Sequence, residues 1–243
     1  MGQITVIIPC YNYGPYLAEA IESVLSQTRK PLEIIVMDDA STDNTAEVAS
    51  RYPVTYVKNP INLGTVANLN KGVSLAKGDY VISLDADNRL RPDYLQKTGL
   101  ILDTQPDVAI VYTHMALFGP QAEPVYSSQP AWQAGQEGGF YLWKVPEFNP
   151  LRLKLGNYIH GSALFRAEAW EKAGGYPEVM RAEDWQLWKN IIRLGWTAKL
   201  VPEYLLEYRQ HGEIQRNIIG QSQAISQFKV WVKTALLRLG LYR

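Results

Sequence analysis

Val81-Ile82-Ser83-Leu84-Asp85-Ala86-Asp87-Asn88 carries a hydrophobic strand into two carboxylates. Strand side chains two apart project from one face, so Asp85 and Asp87 can share a divalent cation or seat it on one of them. Aspartates at strand ends also make ordinary turns, and the tripeptide alone does not separate these roles. Upstream, Val36-Met37-Asp38-Asp39 ends a second hydrophobic run in acid. Two such ends in one parallel sheet would build one acidic rim.

The neighbouring segments support such a sheet. Ile4–Pro9, Glu33–Met37, Val54–Val57, Asp79–Leu84 and Val108–Thr113 read as short buried strands. Between them, Gly14-Pro15 opens a helix whose Leu17, Ile21, Val24 and Leu25 repeat at helical spacing. Asn44 with Glu47 resembles a capping box, a third helix runs from about Thr65 to Lys77 and stops at Gly78, and Pro92 starts a fourth. Alternating strands and helices imply an α/β fold, a mainly parallel sheet covered on both faces, with ligands beyond the carboxyl strand ends. Residues 114–150 show no clean period and read as a long loop, functional or mobile. Thereafter Ser162–Phe165, Thr197–Val201 and Tyr204–Tyr208 read as strands, and Glu168–Lys172 and Glu183–Leu194 as helices. In Ser222–Arg243, Phe228, Trp231, Val232, Ala235, Leu236 and Leu239 recur at helical spacing beside Lys229, Lys233, Arg238 and Arg243. That amphipathic helix packs on its own domain or a second copy in a homodimer, or lies on anionic lipid.

Bulk properties narrow the class. The 24 basic and 24 acidic residues cancel, which argues against a nucleic-acid partner. A single cysteine, Cys10, rules out an internal disulfide and a cysteine zinc cage. No run is long enough to span a membrane, and the N-terminus enters a strand without a basic leader, so a cytoplasmic location is expected, with peripheral contact at the inner membrane face as its variant.

Seven motifs in order then carry a resemblance: Val6–Asn12, Ile34–Thr45, Leu84–Asn88, Gly161–Arg166, Gly174–Glu178, Glu183–Trp185 and Tyr208–His211. Together they resemble the family 2 glycosyltransferases of the GT-A (Rossmann-like) fold, over roughly residues 3–212. The resemblance implies a mixed, mainly parallel sheet in a domain over 1–220, split into a nucleotide-sugar half (1–113) and an acceptor half (114–220), with the helix 221–243 outside it. It implies a UDP-, GDP- or dTDP-sugar donor, Mn²⁺ or Mg²⁺, and transfer with inversion to a glycan, lipid-linked or other hydroxyl acceptor in cell-surface polysaccharide or glycolipid synthesis. Pro9, Tyr11 and Asn12 fall in the donor-binding set, with Tyr11 and the Pro9 backbone against the base. Asp39 matches the carboxylate that pairs with the base N–H, while Asp38 serves the ribose or the strand-end turn. Asn62 and Gly64 belong to a loop near the donor. Asp87 matches the metal ligand, Asp85 a ribose or water-mediated contact, and Ala86 lies between them. Asp184 matches the general base, Glu183 an acceptor- or loop-orienting group, His211 a metal or phosphate contact, and Arg209 a partner of the diphosphate.

Each role has a structural rival. Glu183 and Asp184 could simply favour a helix N-terminus, and His211 could be a locally bonded loop residue. Trp185 and Trp188 read chiefly as core. Leu69-Asn70 stands where many relatives have Arg-Asn, and Gln215-Arg216 is followed by Asn217 rather than completing the Gln-x-x-Arg-Trp signature of processive synthases. With no membrane spans, that departure points to addition of one sugar. The alternatives are a non-catalytic nucleotide-sugar-binding module and a sugar nucleotidyltransferase, whose basic glycine-rich loop is missing from Cys10–Pro15. A Walker-type kinase is excluded by the lack of its Gly-Lys-Ser/Thr loop.

Overall fold

The computed structural model describes residues 1–179 and 182–211. Its strands are Ile4–Cys10 (β1), Glu33–Asp38 (β2), Thr55–Lys58 (β3), Tyr80–Ser83 (β4), Arg89–Leu90 (β5), Val108–Phe118 (β6), Gln133–Glu137 (β7), Phe140–Trp143 (β8), Leu164–Arg166 (β9) and Thr197–Arg209 (β10). Its α-helices are Gly14–Leu25 (α1), Thr45–Ala49 (α2), Thr65–Leu75 (α3), Tyr94–Thr104 (α4), Ala122–Ser127 (α5), Pro150–Leu155 (α6), Ala167–Lys172 (α7) and Glu183–Arg193 (α8).

One sheet runs in the order β3-β2-β1-β4-β9-β6-β10-β5, with β8 paired to β6 and β7 paired to β8. β3, β2, β1 and β4 are mutually parallel, as are β6 and β10, while β9 runs antiparallel between the two groups. The α/β architecture with a mixed sheet flanked by helices is therefore as expected. Alternation along β1 sends Val6 and Ile8 into one core layer and Ile7 into the other. Burying each such side chain contributes about 1.5–3 kcal/mol. Helix α3 lies close on the sheet because residue 72 is glycine: a Cβ there would meet Ile7 Cγ2 at 2.9 Å and Met37 Cγ at 3.0 Å.

Four local expectations need correction. Asn44 makes no side-chain cap. Asp43 instead holds the first helical residue through Oδ1, which accepts from Thr45 N at 3.0 Å and the Thr45 hydroxyl at 2.5 Å. The other Asp43 oxygen accepts from Gly14 N at 2.9 Å, tying α2 to the start of α1. Residues 114–150 are not one loop: β6 continues to Phe118, and α5, a short 3₁₀ turn and the β7–β8 hairpin follow. The polar residues of β7 hide it from a hydrophobic-period reading, because that strand is exposed throughout and is held by pairing to β8 alone. The two strands read at 197–208 are one, β10, whose register slips near Tyr204 where it passes β6. Helix α4 begins at Tyr94, not Pro92. The expected 222–243 helix and Gln215–Asn217 lie outside the described residues.

Candidate active site

The carboxyl ends of β1, β2 and β4 meet at one edge of the sheet, as parallel pairing requires. There the Asp39 N–H donates to Cys10 O at 2.8 Å. Asp38 is fully buried and serves the turn: it accepts from Ser41 N at 2.7 Å and from the Tyr56 hydroxyl. Asp39 organises the next loop. Its Oδ1 accepts from Asn59 Nδ2 at 2.9 Å and Leu63 N at 2.8 Å, and its Oδ2 accepts from Gly64 N at 2.9 Å. Asn62 Oδ1 accepts from the same Gly64 N–H at 3.0 Å, and Gly64 takes φ 83°, which glycine adopts without strain. Asn12, itself at φ 57°, accepts from Thr42 N at 2.8 Å and stitches the β1 loop to the β2 loop. Tyr11 is half exposed at 47 %, and Pro9 and Gly64 face the cleft.

The second acidic end lies deeper. Asp85 opens to the cleft, Ala86 is buried, and Asp87 is buried with Oδ2 2.9 Å from His211 Nε2. His211 rests against the rings of Tyr16 and Tyr13 at 4.8 and 5.8 Å. Arg209 Nε donates to Asp87 O at 2.9 Å and a terminal guanidinium nitrogen donates to Glu19 at 2.7 Å, while the guanidinium lies 4.4 Å from the Phe118 ring centre. Both Asp85 and Asp87 are held above the usual carboxylate range, first by the crowding of protein atoms. Cleft water reaches Asp85 and weakens that effect there. Asp87 and Glu183 raise Asp85 further, and His211 pulls Asp87 back. Among the described residues no three His, Cys, Asp or Glu form a closed metal cage. A pair of protein donors fits Mg²⁺ or Mn²⁺ shared with substrate phosphates, because such ions commonly take one or two protein ligands and complete their shell from the substrate and water. Asp87 and His211 are therefore a suitable donor set, and two raised carboxyls signal a site that a cation would stabilise.

The third carboxylate group arrives from the other half of the chain. Asp184 and Glu183 open α8 behind Ala182, which sits at φ 58°, ψ 45° and turns the chain sharply into the helix. Asn157 Nδ2 donates to both Asp184 oxygens at 3.2 Å, and Trp185 N donates to Oδ1 at 2.6 Å. Gly161 lies beside this carboxylate, and a Cβ there would make an ordinary contact 3.5 Å from Asp184 Oδ2. Burial and then the Glu183 charge push Asp184 up to about 6, and the Trp185 and Asn157 bonds hold it from rising further. Asn70, beside the departure at Leu69, exchanges two bonds with Tyr176, Nδ2 to O and N to Oδ1, both 2.8 Å. Trp188 is buried, while Trp185 is half-buried and donates its indole N–H to Leu153 O at 2.6 Å.

Asp85, Glu183 and Asp184 face one cavity of about 670 Å³, which Pro9 and Gly64 also line. That volume suits a small-molecule cleft of roughly 300–1,000 Å³. Asp38 stays inside its turn, Tyr11 stands at the surface, and Asp87 with His211 lies behind Asp85. Sequence reading missed Asn157, whose link to Asp184 spans 27 residues and leaves no local pattern. It also missed His160, Gln210 and the tryptophans of the β7–β8 region, although His160 directly precedes the quoted Gly161 motif.

A crevice at the carboxyl ends of parallel strands, lined by acids from both halves, is a site class that takes nucleotides. The Glycosyl transferase family 2 model matches residues 5–174, and the chain belongs to that family and is a glycosyltransferase. It is 32% identical over 220 residues to the Bacillus subtilis (strain 168) protein named as the glycosyltransferase EpsE, covering 87% of this chain and 74% of that one. It is 27% identical over 237 residues to TuaG of the same organism, named for teichuronic acid biosynthesis, covering 94% and 85%. The mannosyltransferase PcManGT from Pyrobaculum calidifontis, solved with GDP-Man and Mn²⁺, shares the fold at TM-score 0.66 and 23% identity over 93% of this chain; the chain spans 64% of that structure's length. Among the described residues no helix is long and apolar enough to cross a membrane.

Proposed function

We propose that the chain transfers one sugar from a nucleoside diphosphate sugar to an acceptor hydroxyl, with inversion at the anomeric carbon. One observation carries the reading: Asp85 at a strand end and Asp184 at a helix start face the same cavity, which Pro9 and Gly64 also line. In this reading the donor lies from Gly64 and Pro9 toward Asp85, and its diphosphate reaches Asp87. Asp87 and His211 would hold a divalent cation, which when bound offsets the negative charge that gathers on the departing diphosphate. Arg209, anchored on Asp87 O and Glu19, adds fixed positive charge beside it.

Asp184 takes the proton of the acceptor hydroxyl as its oxygen attacks C1 from the side opposite the diphosphate. The C1–O bond to the diphosphate breaks as the new C1–O bond forms, which inverts the centre. A carboxyl near 6 is ionised at neutral pH yet basic enough to accept that proton. Asp39 has three of its acceptor positions committed to the 59–64 loop, so it presents that loop to the base as well as any direct contact. The relative named for teichuronic acid synthesis supports a product in a cell-surface polysaccharide.

The test is nucleoside diphosphate release from UDP-, GDP- and dTDP-sugars with Mn²⁺, Mg²⁺ or EDTA, alongside thermal shift. Release from one nucleotide class that EDTA abolishes, with melting raised by donor plus metal, is the expected result. A product that keeps the donor's anomeric configuration by NMR refutes inversion.

A further inference from the structure

Helix α6 carries leucines on two opposite sides. Leu153 is buried in the core, and Trp185 donates its indole N–H to Leu153 O at 2.6 Å, which fastens α6 onto α8. Leu151 and Leu155, by contrast, are 66 % and 60 % exposed. At 3.6 residues per turn, both stand about 160° from Leu153 and only about 40° from each other. They therefore form one outward ridge, opposite the side that holds the helix to the core.

The same geometry sets Arg152 and Lys154 on the two flanks of that ridge, about 100° to either side of Leu153. Both are exposed. Among the described residues neither has an ion-pair partner. Lys144 precedes them, and Glu147 is the sole acid between residues 144 and 157. On the adjoining α8, Lys189 Nζ lies 4.2 Å from the Trp185 ring centre and Arg193 is exposed, whereas Glu183 and Asp184 face the cavity. The ridge is thus apolar at its crest and basic on its flanks. A bilayer with anionic headgroups over hydrocarbon complements that pattern, because basic side chains can reach phosphates while leucines enter the acyl boundary. A protein partner fits less well: six residues span about 9 Å of helix, and a stable interface needs roughly 800 Å² from each side.

We propose that the α6 ridge is a membrane-docking surface: Leu151 and Leu155 enter an anionic bilayer at its headgroup–acyl boundary, and Arg152 and Lys154 pair with lipid phosphates. Asn157 and Tyr158, which follow α6 directly, line the cavity of about 670 Å³, so docking brings one edge of that cavity to the lipid surface. Two leucines with a small basic cluster give a shallow, reversible contact. Attachment of this kind is independent of the sugar-transfer chemistry.

The experiment floats the full chain with phosphatidylcholine vesicles, either alone or with about one-third phosphatidylglycerol. The chain should partition onto the anionic vesicles, and raising the salt from about 0.1 M to about 0.5 M should weaken that binding. Leu151→Ser with Leu155→Ser should lower the partition coefficient about tenfold or more. Arg152→Ala with Lys154→Ala should lower it by a similar factor on anionic vesicles alone. Melting temperature should stay at the parent's value in both double variants, since all four side chains are exposed. The second pair keeps the test decisive should the first fail to fold. The proposal is overturned if the chain ignores anionic vesicles, or if both double variants bind like the parent, which would place any lipid contact elsewhere. It is also overturned if sedimentation shows a dimer that the Leu151→Ser, Leu155→Ser change splits into monomers, because a second copy would then cover the ridge.

Discussion

Replacing Asn157 with leucine keeps most of the side chain's volume but removes the N–H that both Asp184 oxygens accept. A hydrogen bond to a charged group contributes about 1.5–3 kcal/mol. Asp184 faces cleft water, so the lower end applies, and about 1.4 kcal/mol corresponds to one pKa unit. The bond favours the ionised form, so its loss raises the pKa. Starting from about 6, the acidic limb of the kcat/KM profile should move up by about one unit. The ionised fraction at pH 6 then falls from about a half to about a tenth, and at pH 7 from about nine-tenths to about a half. Activity should therefore drop about fivefold at pH 6, about twofold at pH 7 and little above pH 8.5. The assay is initial rate of nucleoside diphosphate release from pH 5 to 9 at subsaturating acceptor. A loss of equal size at every pH would mean that Asn157 acts on geometry alone. An unmoved profile with full activity would refute both its tuning role and the identification of Asp184 as the base.

Other outcomes follow from the same geometry. Asp184→Asn should lower kcat by about 10²–10⁴ while nucleotide binding, read by calorimetry, is retained; full transfer activity in this variant would remove Asp184 from the mechanism. Asp87→Ala should abolish the metal dependence of donor binding, and calorimetry that still shows Mn²⁺-enhanced affinity would discard the Asp87–His211 assignment. Ala182→Gly should relieve about 1–2 kcal/mol of left-handed backbone strain, partly offset by the greater freedom of glycine when unfolded. A melting temperature lowered by the change would show that the turn carries no such strain. Asn70→Ala deletes both bonds to Tyr176 and should destabilise the protein by about 1–3 kcal/mol, seen as a lower urea midpoint.

The half up to residue 113 was legible because its determinants are local. Apolar runs of strand length end in Pro9, Asp38 and Asp85, and parallel pairing then obliges those ends to meet. Gly64 and Asn12 were likewise readable as turn residues, and both hold positive φ. The half from residue 114 onward was less legible because its determinants are distant. β7 is a strand only through β8, and β8 only through β6, so the sequence 133–143 carries no period of its own. Asn157 and Asp184 meet by tertiary packing of α6 against α8. The capping box at Asn44 misled for a chemical reason: Asp43, one residue earlier, accepts from the first helical amide, Thr45 N, and also serves Gly14.

Helix α3 has a consequence for how such a chain can diversify. Its Asn68 and Lys71 bond Asn59, which with Asp39 holds the 59–64 loop, and its Asn70 bonds Tyr176, which lines the same cavity as Asp184. In the proposed reading this one helix thus fixes the spacing between donor and base. The β7–β8 hairpin hangs from β6 at the side of the sheet and takes no part in that spacing. Trp132 and Trp143 bring this region into the cavity lining, so in the same reading substitutions there would change the acceptor while the reacting atoms keep their registration. Change in specificity is thereby decoupled from loss of chemistry, and drift in the hairpin costs the reaction little.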